Sequence, residues 1–331
     1  MCWAWLMCLM MLCTTGTATA VTAPGTPAIY SAALDNPDFP KDTVDAQLCA
    51  LKSEAWYMID AETGRILSSK NPDKKMYPAS MTKMMTCILA CESGKLTELV
   101  TISAQAAATE YANVRRGEQY VLRDLLYRVM LPSDNGAAHA VGEFLSKGDT
   151  VSFATMMNKK ARELGMEHTN FVNAHGLPDD NHYTTPRDMM KLVKYCMKNK
   201  DFAEIVSNAT RDITTTSGKV IHLKNTNKLF GRYEGCIGVK TGTTNAAGGC
   251  LASAVVRDGM KIYLVLMKCK PPRQRTDESI VLYEKGFEMM RAFAASCKQK
   301  SSKKRPNVPR PKNKNADHEQ LIKQQVPYPK K

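Results

Sequence analysis

After its first twenty residues the 331-residue chain has no apolar run long enough to span a bilayer, which excludes a transmembrane bundle. No segment recurs at a fixed period, so repeat architectures are excluded as well. There is no Cys-x-x-Cys pair. Cys87 and Cys91 stand four apart on one predicted helix, but the nearest histidine in sequence, His139, is far along the chain. No metal site and no cofactor is therefore expected. Aromatic residues do not interleave the basic runs, which weighs against nucleic acid as a partner.

What is present is ordinary globular composition, 44% hydrophobic and 24% charged, with length for one large domain or two modest ones. Residues 1–20 stand apart: a short apolar run over 3–13 is followed by small residues ending in Ala18-Thr19-Ala20. No Lys or Arg precedes the run, yet its length and its A-x-A-like end predict a secretory signal cleaved near Ala20. Cys2, Cys8 and Cys13 would leave with it. The remaining eight cysteines (Cys49, Cys87, Cys91, Cys196, Cys236, Cys250, Cys269, Cys297) are scattered. Buried free thiols acting as small hydrophobes are the preferred reading, with one or two disulfides as the alternative that export permits.

The net charge of +14 is uneven, because residues 298–331 hold eleven Lys or Arg against Asp317 and Glu319, about +9 of the total. This tail is rich in Pro, Asn, Gln and Ser and is expected to be disordered. Outside a cell it suits anionic surfaces such as wall polymers or lipid headgroups, or else serves only to solubilise.

Between a leader (residues 21–44) and the tail, residues 45–297 are expected to form the folded domain. Strands are predicted at 55–60 and 65–69 around a Thr63-Gly64 turn, and a helix follows over 81–92. The stretch 103–208 reads as mostly helical, with segments at 121–130, 137–145, 151–164 and 186–199. Strands return at 250–256 and 261–267 around Asp258-Gly259, a strong hairpin signal, and a terminal helix is expected over 276–295. Strands at both ends of a helical middle predict an α+β fold whose N- and C-terminal strands share one antiparallel sheet flanked by helices.

Three short motifs occur in order: Ser80-Met-Thr-Lys83, Ser133-Asp-Asn135 and Lys240-Thr-Gly242. Ser80 and Lys83 are i and i+3, so a helix puts both on one face, and a lysine with a depressed pKa can take the proton of a serine nucleophile. Ser133 offers a second hydroxyl for proton relay, and Asn135 an amide able both to donate and to accept. Ser133 and Asp134 also suit a helix N-cap. The Gly238–Thr243 stretch suits an edge strand whose N–H groups bind substrate or an oxyanion, with Lys240 and Thr241 placed for a carboxylate.

Together these motifs form the signature of penicillin-binding proteins and β-lactamases. More widely, the chain resembles the serine-type D-alanyl-D-alanine carboxypeptidases, the low-molecular-mass penicillin-binding proteins. The resemblance lies in Pro78-Ala-Ser-Met-Thr-Lys83, Asp60-Ala-Glu-Thr-Gly64, Asn170-Phe-Val-Asn-Ala-His-Gly-Leu177, His182-Tyr-Thr-Thr185 and Lys240-Thr-Gly-Thr-Thr244, and it covers roughly residues 45–295. It implies a β-lactamase/transpeptidase-like fold, with a helical subdomain and the site in the cleft between it and the sheet. It also implies acyl transfer through Ser80 on a peptidoglycan stem peptide ending in D-Ala-D-Ala, with β-lactam antibiotics as covalent inhibitors, in the cell wall or periplasm. Lys83 is then the base, Ser133 the relay and Asn135 a substrate ligand. Lys240 and Thr241 would bind the terminal carboxylate, Gly242 would contact the substrate, and the N–H groups of Ser80 and Thr243 would form the oxyanion hole.

Two departures are visible. The polar tail after Cys297 is too short for the small β-domain and anchoring helix of many relatives, and Thr243 stands where several carry histidine. Two other readings remain. A class A-like β-lactamase needs a water-activating carboxylate, and Glu167 with Asn170 gives E-x-x-N, one residue short of E-x-x-x-N. A non-catalytic wall-binding or penicillin-sensing protein would be expected to lack Ser80, Lys83 or Lys240, all of which are present.

Overall fold

The computed structural model describes residues 29–31, 48 and 50–303, with side chains described for Leu48 and residues 50–296. The expected signal, most of the leader and the tail beyond 303 lie outside the described residues, as do the side chains of Cys49 and Cys297.

The N-terminal strands are β1 (Ile29–Ser31), β2 (Ala55–Asp60) and β3 (Ile66–Lys70). The β2–β3 turn closes on Asp60, whose carboxylate accepts the N–H of Glu62 at 3.0 Å, and Gly64 takes φ +74° there. A 3-10 turn (Ala79–Thr82) leads into α1 (Lys83–Glu92). The helical region follows with β4 (Leu99–Thr101), α2 (Ala104–Ala108), β5 (Gln119–Val121), α3 (Leu122–Met130), α4 (Asn135–Leu145), α5 (Thr150–Glu163), α6 (Pro186–Cys196) and α7 (Lys200–Val206). A hairpin of β6 (Thr210–Thr214) and β7 (Val220–Lys224) precedes β8 (Cys236–Thr244), β9 (Gly248–Arg257), β10 (Met260–Cys269) and α8 (Arg275–Lys303).

Among the described residues the main sheet has six antiparallel strands in the order β1-β3-β2-β10-β9-β8, so N- and C-terminal strands share it and β8 lies at its edge. The α+β expectation holds. Every residue of β2 is buried, because both faces of the sheet are covered. Tyr57 and Ile59 enter a core with Met84, Met85 and Ile88 of α1 and Met189 and Val193 of α6. Leu282, Tyr283 and Phe287 of α8 are also buried, and the Tyr283 hydroxyl hydrogen-bonds to Ser253 Oγ at 2.8 Å. Each such apolar side chain contributes about 1.5–3 kcal/mol of transfer free energy. The described residues up to Glu288 belong to one unit; those of the other, Met289–Lys303, are helical.

Several elements differ from the sequence reading. The predicted helix over 81–92 divides into the 3-10 turn and α1, and Ser80 lies on the turn, where Ala79 has φ +47°. The segment 186–199 ends as a helix at Cys196, because Asn199 caps a separate helix by accepting the N–H of Phe202. Strand β5, which pairs with β4, falls in the 103–208 stretch read as mostly helical. The terminal helix runs past 295 to Lys303, since no proline occurs between Pro272 and Pro306 to stop it. Cys87, Cys91, Cys196, Cys236, Cys250 and Cys269 are all free.

Candidate active site

Two glycines let two chain segments close on the Ser80 turn. A Cβ on Gly176 would stand 2.0 Å from Ala79 O, at φ +90°, so only glycine fits there. A Cβ on Gly242 of β8 would lie 3.2 Å from Ser80 N, which places the edge strand directly beside the nucleophile's backbone. The cleft that results has a volume of about 590 Å³. Its lining includes Ser80, Ser133, Asn135, Thr241 and Thr243, so residues of all three motifs meet.

Lys83 opens α1 behind the cleft and is fully buried. Its Nζ lies 2.9 Å from Ser80 Oγ, 2.6 Å from Asn135 Oδ1 and 2.8 Å from His175 O. Three acceptors match the three N–H bonds of an ammonium; as a free amine the lysine has a lone pair for the Ser80 proton. Burial pushes its pKa down to about 7, while Asp134 pulls it back up. About half of the amine is therefore free at neutral pH, which suits a general base.

Asn135 is held on both sides: Oδ1 accepts from Lys83, and Nδ2 donates to Glu110 O at 2.7 Å. The remaining Nδ2 hydrogen is available to a ligand. Asp134 caps α4 by accepting the Ala137 N–H, and pairs with Arg128 Nε at 2.9 Å. Ser133 takes φ +67° and turns its residue onto the cleft wall.

Lys240 is 1% exposed and sits behind the lining, with Nζ 3.1 Å from Thr241 O. Burial lowers its pKa well below the usual lysine range, and the nearby charges of Lys83 and Arg275 lower it further. Thr241 Oγ1 is 2.6 Å from Thr226 Oγ1.

Arg275, Thr226, Glu110 and His175 escaped the sequence reading. Arg275 opens α8, lines the cleft and donates to Gly242 O at 2.9 Å and to Thr243 Oγ1 at 2.5 Å. Nothing local marks it; only the β8–β9–β10 path brings it to β8. Glu167 is exposed and absent from the cleft lining, whose sole carboxylate among the described residues is that of Glu110. The spacing of Glu167 and Asn170 thus has no counterpart in the site, and the β-lactamase reading loses its support.

The chain is 31% identical over 245 residues to D-alanyl-D-alanine carboxypeptidase DacF of Bacillus subtilis, covering 72% of this chain and 63% of that one. It is 31% identical to DacC of Escherichia coli, covering 75% and 64%. It therefore spans just under two thirds of the length of these relatives. The crystal structure of the Streptomyces K15 DD-transpeptidase superposes with a TM-score of 0.69 at 29% identity, covering 72% of this chain and 98% of that one. Residues 41–270 match the family model of the S11 peptidases, described as D-alanyl-D-alanine carboxypeptidase, and the chain belongs to that family.

Proposed function

We propose that the protein is a serine-type D-alanyl-D-alanine carboxypeptidase that removes the terminal D-alanine from peptidoglycan stem pentapeptides. The observation that carries this reading is the contact of 2.9 Å between Lys83 Nζ and Ser80 Oγ, made by a lysine whose pKa is about 7.

In this mechanism Ser80 Oγ attacks the carbonyl between the two D-alanines while Lys83, as free amine, takes the hydroxyl proton. The oxyanion is met by the N–H groups of Ser80 and Thr243. The C–N bond then breaks, and Ser133 passes a proton drawn from the Lys83 ammonium to the departing amine. Water attacks the ester, gives its proton to Lys83, and frees Ser80 and the shortened peptide. Asn135 holds the substrate amide. Thr241 and Arg275 meet the terminal carboxylate on the cleft surface, Gly242 lets the strand lie close, and Lys240 holds the Thr241 carbonyl from behind. A β-lactam acylates Ser80 by the same attack.

Such a substrate fits an exported protein with a signal at residues 1–20, a leader at 21–44, a catalytic domain at 45–297 and a basic tail that meets anionic wall polymers or lipid headgroups. No helix among the described residues is long and apolar enough to cross a membrane. The test is D-alanine release from a pentapeptide by the wild type and Ser80→Ala, with mapping of the residue labelled by a fluorescent penicillin. Release by Ser80→Ala, or a label elsewhere than Ser80, overturns the assignment.

A further inference from the structure

A second cavity of about 430 Å³ adjoins the catalytic cleft, and Ala246 belongs to both linings. Its polar wall is made by Glu54, Lys74, Lys75, Tyr77, Asp180 and Lys268. Lys74 and Lys268 both pair with Glu54, the latter at 2.8 Å. The Tyr77 hydroxyl donates to Asp180 Oδ1 at 3.0 Å. Lys75 Nζ lies 4.5 Å from the centroid of the Tyr183 ring and, among the described residues, has no carboxylate partner. Three ammonium groups thus face two carboxylates, and Lys75 holds the charge left over.

The direction of β8 says what reaches this cavity. With the terminal carboxylate at Thr241 and Arg275 and the scissile carbonyl at Thr243, the acyl side of the substrate runs on toward Thr244 and Ala246. An extended chain advances about 3.3 Å per residue, so the second residue before the scissile bond lies about 7 Å along this direction, toward the rim that Ala246 shares. We propose that this cavity is a subsite for a carboxylate carried on the acyl side of the substrate, on the second residue before the scissile bond, with Lys75 as the group that recognises it. The proposal rests on the carboxypeptidase reading, which fixes the direction in which the substrate lies.

The test uses two peptides ending in D-Ala-D-Ala that differ only in a carboxylate or a carboxamide on the second residue before the scissile bond. In the wild type kcat/KM for D-alanine release is expected to favour the carboxylate about fivefold, the scale of one partly exposed ion pair. The ratio falls to about one in Lys75→Gln and below one in Lys75→Glu. A ratio of one in the wild type, or the same ratio in Lys75→Glu, overturns the subsite. Binding of both peptides to Ser80→Ala, with and without Lys75→Glu, is measured in parallel by calorimetry. If the wild type hydrolyses neither peptide, the carboxypeptidase reading fails, and the binding pair decides the subsite: a carboxylate preference lost in Lys75→Glu upholds it, and no difference overturns it.

Discussion

The pH dependence of Ser80 acylation isolates the central chemical claim, that Lys83 acts as a free amine. Burial holds its pKa at about 7 instead of 10.5. At pH 6 about one lysine in ten is then deprotonated, so acylation by a β-lactam should run about tenfold below its plateau, and about half of the plateau rate is reached near pH 7. Neighbouring imidazoles do not confuse the reading: burial holds His175 at about 3 and His182 at about 4, so both stay neutral throughout. The assay is the second-order rate of labelling by a fluorescent penicillin between pH 5 and 9. Lys83→Arg, whose guanidinium stays protonated, should lose about 100- to 10,000-fold at every pH. A rate still climbing at unit slope through pH 9, or one that is flat from pH 5.5 to 8, would refute the reasoning.

Three other outcomes follow from the same geometry. The depressed Lys83 pKa means that the unfolded chain binds more protons between pH 7 and 10.5, so wild-type stability should rise with pH across that window relative to Lys83→Met. The full span is about 5 kcal/mol, and parallel denaturant titrations of the two proteins would reject the idea if their difference stayed constant. Arg275→Leu should lower kcat/KM about 10- to 100-fold for a substrate with a free terminal carboxylate and much less for its amide, the scale of a hydrogen bond to a charged group; equal losses on both would remove Arg275 from carboxylate recognition. Gly176→Ala forces a Cβ toward Ala79 O in a left-handed conformation and should cost at least about 2 kcal/mol, read as a Tm lowered by about 5 °C or more; an unchanged Tm counts against the close approach.

What could be read in the sequence was what is local. Ser80 and Lys83 lie three residues apart, and Asp134 caps the helix that follows it, so a short window holds each signal. The strands at the two ends showed in their composition and in the Asp258-Gly259 turn. The failures were tertiary. The turn under Ser80 is packed by Gly176 and Gly242 from segments far away in sequence, an approach that no local window shows. Lys83 receives its third partner from the His175 carbonyl, which carries no side-chain signature. Arg275 reads as an ordinary helix-opening residue until β8, β9 and β10 are paired.

The position of β8 at the sheet margin has a consequence for solubility. An unpaired strand margin is a template for another chain, and proteins usually blunt it with charge, bulges or cover. Here that margin is the floor of the cleft. Arg275 already occupies the Gly242 carbonyl. A substrate or an inhibitor laid along β8 takes up further main-chain groups, so the occupied protein presents less template than the empty one. Penicillin-labelled protein should therefore stay in solution on heating longer than its unlabelled form.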